Sequence, residues 1–167
     1  MVETLTTLMP YTPLLIFVAA FLDVFCLTGL FLYGGATLAT IAALLMTGMI
    51  SPIEIAIAAT LGSLLGNSTN FFIGYFGSQI SIVVKLLQKP MATKIKNFTV
   101  KKHLFIVMFV GRFITFTRPL YGVVLGTLQT KPSRFFMYEI PIVFFWVVVW
   151  LLILIQGERI FRLLFMQ

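Results

Sequence analysis

The sequence Val110-Gly-Arg-Phe-Ile-Thr-Phe-Thr-Arg-Pro-Leu120 places two arginines, Arg112 and Arg118, inside an apolar block that runs from about residue 104 to residue 128. An arginine in membrane hydrocarbon costs at least about 2.5–3.5 kcal/mol on insertion scales. It keeps its charge there, because a guanidinium is not deprotonated in proteins. Both arginines therefore need anionic partners, carbonyl groups or water, and the anion is either a carboxylate of the protein or a charged ligand.

The composition places this block in an integral membrane protein. The chain has 167 residues, of which 60% are hydrophobic and 10% are charged. Soluble domains carry about 25% charged residues. The length predicts a single membrane domain over residues 1–167. The net charge of +7 is typical of cytoplasmic loops that face anionic headgroups, so we do not expect nucleic acid as a partner.

The first repeat is predicted over about residues 13–77. From Pro13 to Ile50 the chain is apolar except for Asp23, and this stretch is longer than the roughly 20 residues that one span needs. Glycines interrupt it between Asp23 and Gly35. A short helix, a re-entrant hairpin and a span fit, because such a hairpin is tolerated where protein or trapped water satisfies its backbone.

A long helix is predicted to follow. Ser51-Pro52-Ile53-Glu54 has the pattern of an N-terminal capping box, which favours a capping role for Glu54. The helix is expected to run to about Tyr75. Small residues spaced along one face let another helix approach closely, so we interpret this face as a packing seam rather than a binding surface. Its small and amide residues are Gly62, Gly66, Asn67, Asn70 and Gly74.

Residues 78–103 are predicted to form a basic amphipathic connector on the cytoplasmic side, because lysines there alternate with apolar residues. The single histidine, His103, is interpreted as interfacial filler rather than a proton relay. The single cysteine, Cys26, lies in an apolar run and can form neither an internal disulfide nor a cysteine cluster. The sequence predicts no metal and no cofactor. The N-terminus lacks the basic region of a cleaved signal peptide, so the first apolar block is expected to remain.

The second repeat is predicted over about residues 104–157. The block with the two arginines ends in glycines, and a last span is expected from Phe135 to about Gln156, interrupted by Glu139 and Pro141. Leu-Tyr-Gly occurs in both halves, at residues 32–34 and 120–122. Paired interrupted segments in corresponding halves indicate an inverted-repeat transporter with a site near the midplane.

Three segments in order resemble the DedA family, also known as the VTT or SNARE-associated Golgi protein domain. Residues 111–118 resemble its Arg-Phe-(Ile/Val)-Pro-x-x-Arg motif. Gly62-x-x-x-Gly66-Asn67, continuing through residues 72–77, resembles its Gly-x-x-x-Gly-Asp…Ile-Gly-Arg-x-x-Gly segment. Residues 136–146 resemble its Phe-x-x-Tyr-Asn…Trp segment. The resemblance covers roughly Phe21 to Gly157.

The resemblance implies an all-α integral membrane fold with inverted repeats, two facing re-entrant hairpins and about three to four spanning helices. It also implies a site of two basic and two acidic residues. Arg112 and Arg118 match the basic positions, and Asp23 matches the first acid. The sequence departs from the family at Gly35 in place of the second acid, at Thr115 in place of a proline and at Glu139 in place of an asparagine.

The resulting prediction is a lipid transporter, flippase or scramblase of the bacterial inner membrane. The resemblance implies undecaprenyl phosphate or a phospholipid such as phosphatidylethanolamine as substrate, and protons as a candidate coupling ion. Arg112 and Arg118 would bind the lipid phosphate by charge-assisted hydrogen bonds, with Asp23 as their partner in the empty site. The supporting residues are Glu139, Asn67, Asn70, Gly34 and Gly35.

Three alternatives remain open. The arginines and Asp23 could form a fixed structural ion pair. The protein could be an ion channel or an accessory membrane protein of envelope homeostasis that transports nothing, and a homo-oligomer fits either role. An enzyme is not expected, because the chain lacks the histidine nucleophiles and carboxylate clusters that membrane phosphatases and phosphotransferases use.

Overall fold

The structure is a computed structural model that describes residues 11–29, 35–46, 50–78, 103–114 and 117–165. Within these ranges all regular secondary structure is helical, which confirms the all-α prediction. Most of the predicted connector, together with Gly34 and Thr115, lies outside the described residues. The helices in chain order are α1 (Thr12–Val24), α2 (Gly35–Met46), α3 (Pro52–Gly77), α4 (Leu104–Phe113), α5 (Tyr121–Thr127) and α6 (Pro132–Phe165).

The long helix α3 begins with the predicted capping box. The backbone N–H of Glu54 donates to Ser51 Oγ at 3.2 Å, and the backbone N–H of Ser51 donates to Glu54 Oε2 at 2.9 Å. These bonds satisfy backbone donors that the first helical turn leaves unpaired. The helix continues to Gly77, slightly beyond the predicted end near Tyr75.

Helix α1 packs against the N-terminal half of α3 through the predicted row of small residues. A Cβ atom on Gly66 would lie 2.8 Å from the carbonyl oxygen of Phe21, and one on Gly62 would overlap the carbonyl oxygen of Phe17. Only glycine permits this approach of two helix backbones. These contacts confirm that the glycines of this face pack closely against another helix.

Helix α5 packs against the C-terminal half of α3 in the same manner. A Cβ atom on Gly74 would overlap the carbonyl oxygen of Val123, and one on Gly126 of α5 would overlap that of Phe71. Each helix therefore presents a glycine to the backbone of the other. As a result α3 is the central helix of the described residues, and α1 and α5 both pack along it.

We expect Gly74→Ala to lower the free energy of unfolding by about 1–3 kcal/mol, because the added methyl group overpacks a contact between two backbones. Gly157→Ala is the matched control, since a Cβ atom on Gly157 in α6 would meet nothing within 4 Å. That substitution is expected to stabilise α6 by up to about 1 kcal/mol through helix propensity. Unfolding in mixed detergent micelles measures both. Equal effects of the two substitutions would contradict this packing.

The described residues have a strongly apolar surface and an interior that holds several polar side chains among apolar ones. Large apolar side chains are exposed along several helices, including Ile53 at 71%, Phe76 at 61% and Phe144 at 58%, whereas Asn67, Asn70 and Glu139 are each 0% exposed. Exposed apolar surface of this kind fits a lipid environment, where polar groups must find partners inside the protein.

Helix α6 carries the clearest membrane-spanning segment. Among the described residues, one helical stretch, Pro132–Gly157, is long and apolar enough to cross a membrane, with a mean hydropathy of 2.5. It includes the predicted last span and continues as one helix through Pro141. The further predicted spans, which would bring the number to three or four, stay a prediction.

Candidate functional site

Two buried ion pairs occupy the centre of the structure. Arg112 Nη1 lies 2.7 Å from Glu139 Oε1, and Arg118 Nη2 contacts Asp23 Oδ2. The four residues are 1%, 0%, 7% and 4% exposed, in that order. Burying four charges in an apolar interior is costly unless each is matched, and the two pairs provide that match.

The two arginines and Asp23 lie where helices end or are interrupted. Asp23 is in the last turn of α1, and Arg112 is in the last turn of α4. Arg118 lies in the turn that leads into α5. Thr117 Oγ1 closes this turn by donating to the carbonyl oxygen of Gly111 at 2.7 Å. The interrupted helices thus bring charged side chains from distant parts of the sequence to one level of the fold.

Glu139 of α6 is the most heavily hydrogen-bonded group of the site. Its Oε1 accepts from Arg112 Nη1 at 2.7 Å and from Asn67 Nδ2 at 2.8 Å. Tyr121 Oη lies 2.9 Å from both carboxylate oxygens, and Arg112 Nη1 also donates to Tyr121 Oη at 2.9 Å. Glu139 is therefore held by three different helices, α3, α4 and α5.

Asn70 connects the two interrupted segments. Its Nδ2 donates to the carbonyl oxygens of Val24 at 2.8 Å and Pro119 at 3.1 Å. Its Oδ1 accepts from the backbone N–H of Cys26 at 2.8 Å. The side chain thereby satisfies backbone groups that the end of α1 and the turn before α5 leave unpaired inside the protein.

Both guanidinium groups lie over one indole ring. The Cζ atoms of Arg112 and Arg118 are 5.4 Å and 5.0 Å from the ring centroid of Trp146. Cation–π attraction at such distances is worth about 0.5–2 kcal/mol. The upper part of this range applies here, because the arginines and Trp146 are buried. Trp146 is therefore a positioning residue that holds two like charges near one another.

The site contains hydrogen-bond donors and acceptors that have no partner among the described residues. Arg112 Nε and Nη2 and Arg118 Nε are buried donors without a hydrogen-bond partner among the described residues, and Asp23 Oδ1 and Asn67 Oδ1 are buried acceptors in the same condition. Leaving such a group unpaired costs about 1–3 kcal/mol, and more when it is charged. The ion pairs thus leave hydrogen-bonding capacity that a ligand or water could use.

A narrow crevice leads to the Asp23 side of the site. It has a volume of about 30 Å³ and is lined by Asp23, Ser63 and Trp146 together with apolar side chains of α1, α2, α3 and α6. A water molecule needs roughly 10–15 Å³ measured in this way, so the crevice admits one or two waters. Asp23 therefore borders an open space.

The structure brings together most of the residues that the sequence singled out. Arg112, Arg118, Asp23, Glu139, Asn67 and Asn70 all belong to the network. Gly35 begins α2, and Gly34 lies outside the described residues.

Sequence reasoning missed Tyr121 and the role of Trp146. The signal for Tyr121 was a hydroxyl-bearing residue inside the apolar block that already held the arginines. In the part of the chain that the structure describes, no group of three or more His, Cys, Asp or Glu side chains could hold a metal ion.

These features define the chain as an all-helical membrane protein with a charged core. It is similar to an uncharacterized membrane protein of Buchnera aphidicola from Schizaphis graminum, at 31% identity over 135 residues. It is also similar to the inner membrane protein YabI of Escherichia coli K12, at 29% identity over 126 residues. These matches cover 80% and 75% of this chain and 53% and 50% of the two relatives.

The chain thus spans about half the length of the curated relatives it matches. A second Buchnera relative, from Acyrthosiphon pisum, is also named an uncharacterized membrane protein and is 30% identical over 133 residues. No family model matches the chain, and no solved structure matches it.

Proposed function

We propose that this chain is a lipid transporter of the DedA type in the bacterial inner membrane. It would move a phosphate-bearing lipid, such as undecaprenyl phosphate or phosphatidylethanolamine, between leaflets, acting as a flippase or scramblase and catalysing no covalent reaction. The DedA resemblance of the sequence and the similarity to a protein named as an inner membrane protein support this proposal.

The unpaired guanidinium atoms are the observation that carries the proposal. Glu139 and Tyr121 bind Nη1 of Arg112, and its adjacent Nε and Nη2 are buried without a partner among the described residues, as is Nε of Arg118. Adjacent guanidinium nitrogens bind phosphate oxygens in bidentate geometry. A lipid phosphate placed between the two arginines would satisfy these donors, whereas a purely structural ion pair has no need of them.

The arrangement around α3 supports the inverted-repeat, multi-pass part of the proposal. One interrupted segment follows α1 and the other precedes α5, so their order is reversed along the chain. The flanking helices α1 and α5 contact α3 through glycines, and Asn70 of α3 bonds to backbone groups of both segments. Two re-entrant hairpins that face each other across a central helix would have these contacts.

Asp23 is the group that we propose to exchange with the lipid. Among the described residues its ion-pair partner is Arg118, its Oδ1 is buried without a hydrogen-bond partner, and the residue lines the crevice. The phosphate would take the place of Asp23 on Arg118, and a proton taken up by Asp23 would couple the two events. Glu139 supplies the second carboxylate in a chain whose position 35 is glycine.

Reconstitution in liposomes tests the function. Exchange between leaflets of at least one of two labelled lipids, undecaprenyl phosphate or phosphatidylethanolamine, is expected to proceed with the wild-type chain and to fall at least about tenfold in Arg118→Ala. That factor corresponds to losing one charge-assisted hydrogen bond of about 1.5 kcal/mol or more.

The matched control is Arg134→Ala, which removes an exposed arginine at the start of α6 and is expected to leave exchange unchanged. A folded wild-type chain that moves neither lipid would refute the proposal. Ion flux in the same liposomes without lipid exchange would favour the channel alternative.

A further inference from the structure

The buried charges of the site sum to zero. Among the described residues, the buried charged side chains are the two arginines and the carboxylates of Asp23 and Glu139. Tyr121, Asn67 and Asn70 face them as neutral partners. A ligand therefore enters a site without excess charge. Releasing an arginine from its carboxylate leaves the sum of charges unchanged, so a negative charge that the ligand brings is matched only when a carboxylate of the site takes up a proton.

The two carboxylates differ in how firmly they are held. Glu139 accepts hydrogen bonds from Asn67, Arg112 and Tyr121, and it is 0% exposed. Among the described residues Asp23 has one side-chain partner, Arg118; its Oδ1 is buried without a partner, and the residue lines the crevice. Exchange of Asp23 breaks one ion pair next to an open space, whereas exchange of Glu139 breaks a network that joins three helices to α6.

From this difference we propose that Glu139 sets the charge of the headgroup that the site accepts. Arg112 stays neutralised by Glu139 and offers hydrogen bonds only, through Nε and Nη2. Arg118, once Asp23 has taken up a proton as in the proposed function, offers one positive charge. The site therefore binds phosphodiester headgroups, which carry one negative charge on the phosphate, in preference to phosphate monoester headgroups, which carry about 1.5 to 2 near neutral pH.

The physical reason is the cost of an unmatched charge in an apolar interior. The second negative charge of a monoester would have no free cation among the described groups of the site, and an uncompensated buried charge is strongly unfavourable. The inference rests on the proposed function and narrows its substrate class to phosphodiester lipids such as phosphatidylethanolamine, in preference to undecaprenyl phosphate, which is a monoester.

The preference for phosphodiester over phosphate monoester headgroups is called the charge rule below. Competition between two lipids that differ only in ester state tests it. Dioleoyl phosphatidate is a monoester, and its methyl ester, dioleoyl phosphatidylmethanol, is a diester with the same chains. With both present in equal amounts at pH 8, native mass spectrometry of the wild-type chain is expected to show the diester bound at least about tenfold more, equal to about 1.4 kcal/mol. A ratio near one, or a preference for the monoester, would overturn the proposal.

Glu139→Gln is the decisive variant, because it removes the fixed negative charge and keeps a side chain of similar size. It is expected to reverse the preference in favour of the monoester. Glu54→Gln is the matched control, since Glu54 is exposed in the capping box of α3 and lies outside the site. It should preserve the wild-type ratio. An unchanged ratio in Glu139→Gln would refute the assignment.

If Glu139→Gln does not fold, the ratio of bound diester to bound monoester, measured with the wild-type chain at pH 5, tests the charge rule instead. The monoester then carries about one charge, because its second pKa is about 6, and the preference should disappear. Protonation of a carboxylate of the site would also shift the ratio toward the monoester, so it cannot sustain a preference for the diester. A tenfold preference that persists at pH 5 would refute the charge rule.

Inorganic phosphate distinguishes a lipid site from a site for the free anion. At pH 8 it carries close to two charges, so an excess is expected not to displace the bound diester, and displacement would contradict the proposal. The binding experiment tests the charge rule and the liposome assay tests transport, so either claim can be refuted without the other. Lipid exchange with equal binding of the two esters refutes the charge rule alone, whereas selective binding without exchange refutes the transport function alone.

Discussion

Glu139→Ala is expected to lower the free energy of unfolding by about 3–5 kcal/mol, because it leaves Arg112 as an uncompensated charge in the interior. Arg112 is 1% exposed, and Glu139 is the carboxylate bonded to it. The substitution also removes an acceptor from Asn67 and Tyr121. Unfolding in mixed detergent micelles, followed by tryptophan fluorescence, measures the loss.

The double variant Arg112→Met/Glu139→Leu is the control for this interpretation. Replacing a whole buried ion pair by apolar residues of similar volume is often neutral or stabilising. The double variant should therefore recover most of the stability that Glu139→Ala loses, although Asn67 and Tyr121 still lack their acceptor. If it is less stable than the single variant, the loss does not arise from the unmatched charge of Arg112.

Asn70→Ala is expected to cost about 2–4 kcal/mol and to loosen the contact between the two interrupted segments. It leaves the carbonyl groups of Val24 and Pro119 and the N–H of Cys26 without their partner inside the protein. Each buried backbone group left unpaired costs about 1–3 kcal/mol, reduced where water enters. Unfolding in mixed micelles measures the total.

The single cysteine of the chain reports on this loosening directly. Cys26 is half-buried beside Asn70, so Asn70→Ala should raise the rate at which maleimide labels its thiol. Thr69→Ala is the matched control on the same helix, because Thr69 Oγ1 donates only within α3, to the carbonyl oxygen of Leu65 at 2.8 Å. It should change stability by less than about 0.5 kcal/mol. Unaltered labelling in Asn70→Ala would contradict the bridging role.

The local features of the fold were predictable because their causes are local. The capping box at Ser51 acts within one helical turn, and the glycine row of α3 implies close helix packing wherever the partner lies. The sequence could not identify the partners, which are α1 at Gly62 and Gly66 and α5 at Gly74. That choice depends on the path of the whole chain.

The charged residues of the site could be predicted from the sequence, but which carboxylate pairs with which arginine could not. Charges inside apolar segments single out Asp23, Arg112, Arg118 and Glu139, because each is costly in lipid without a partner. Which carboxylate meets which arginine is decided by residues far apart in sequence, such as Arg118 and Asp23. Tyr121 was not singled out, because a tyrosine is uncharged and is common in apolar segments.

The sequence by itself determined that the chain is helical, apolar on the outside and charged within, since composition and the energetic cost of buried arginines leave few other arrangements. Only the tertiary structure decided that Glu139 is held by three donors while Asp23 keeps an unpaired oxygen. The physical reason is that desolvation is a property of each residue, whereas matching a charge depends on the distance and direction of groups that folding brings together.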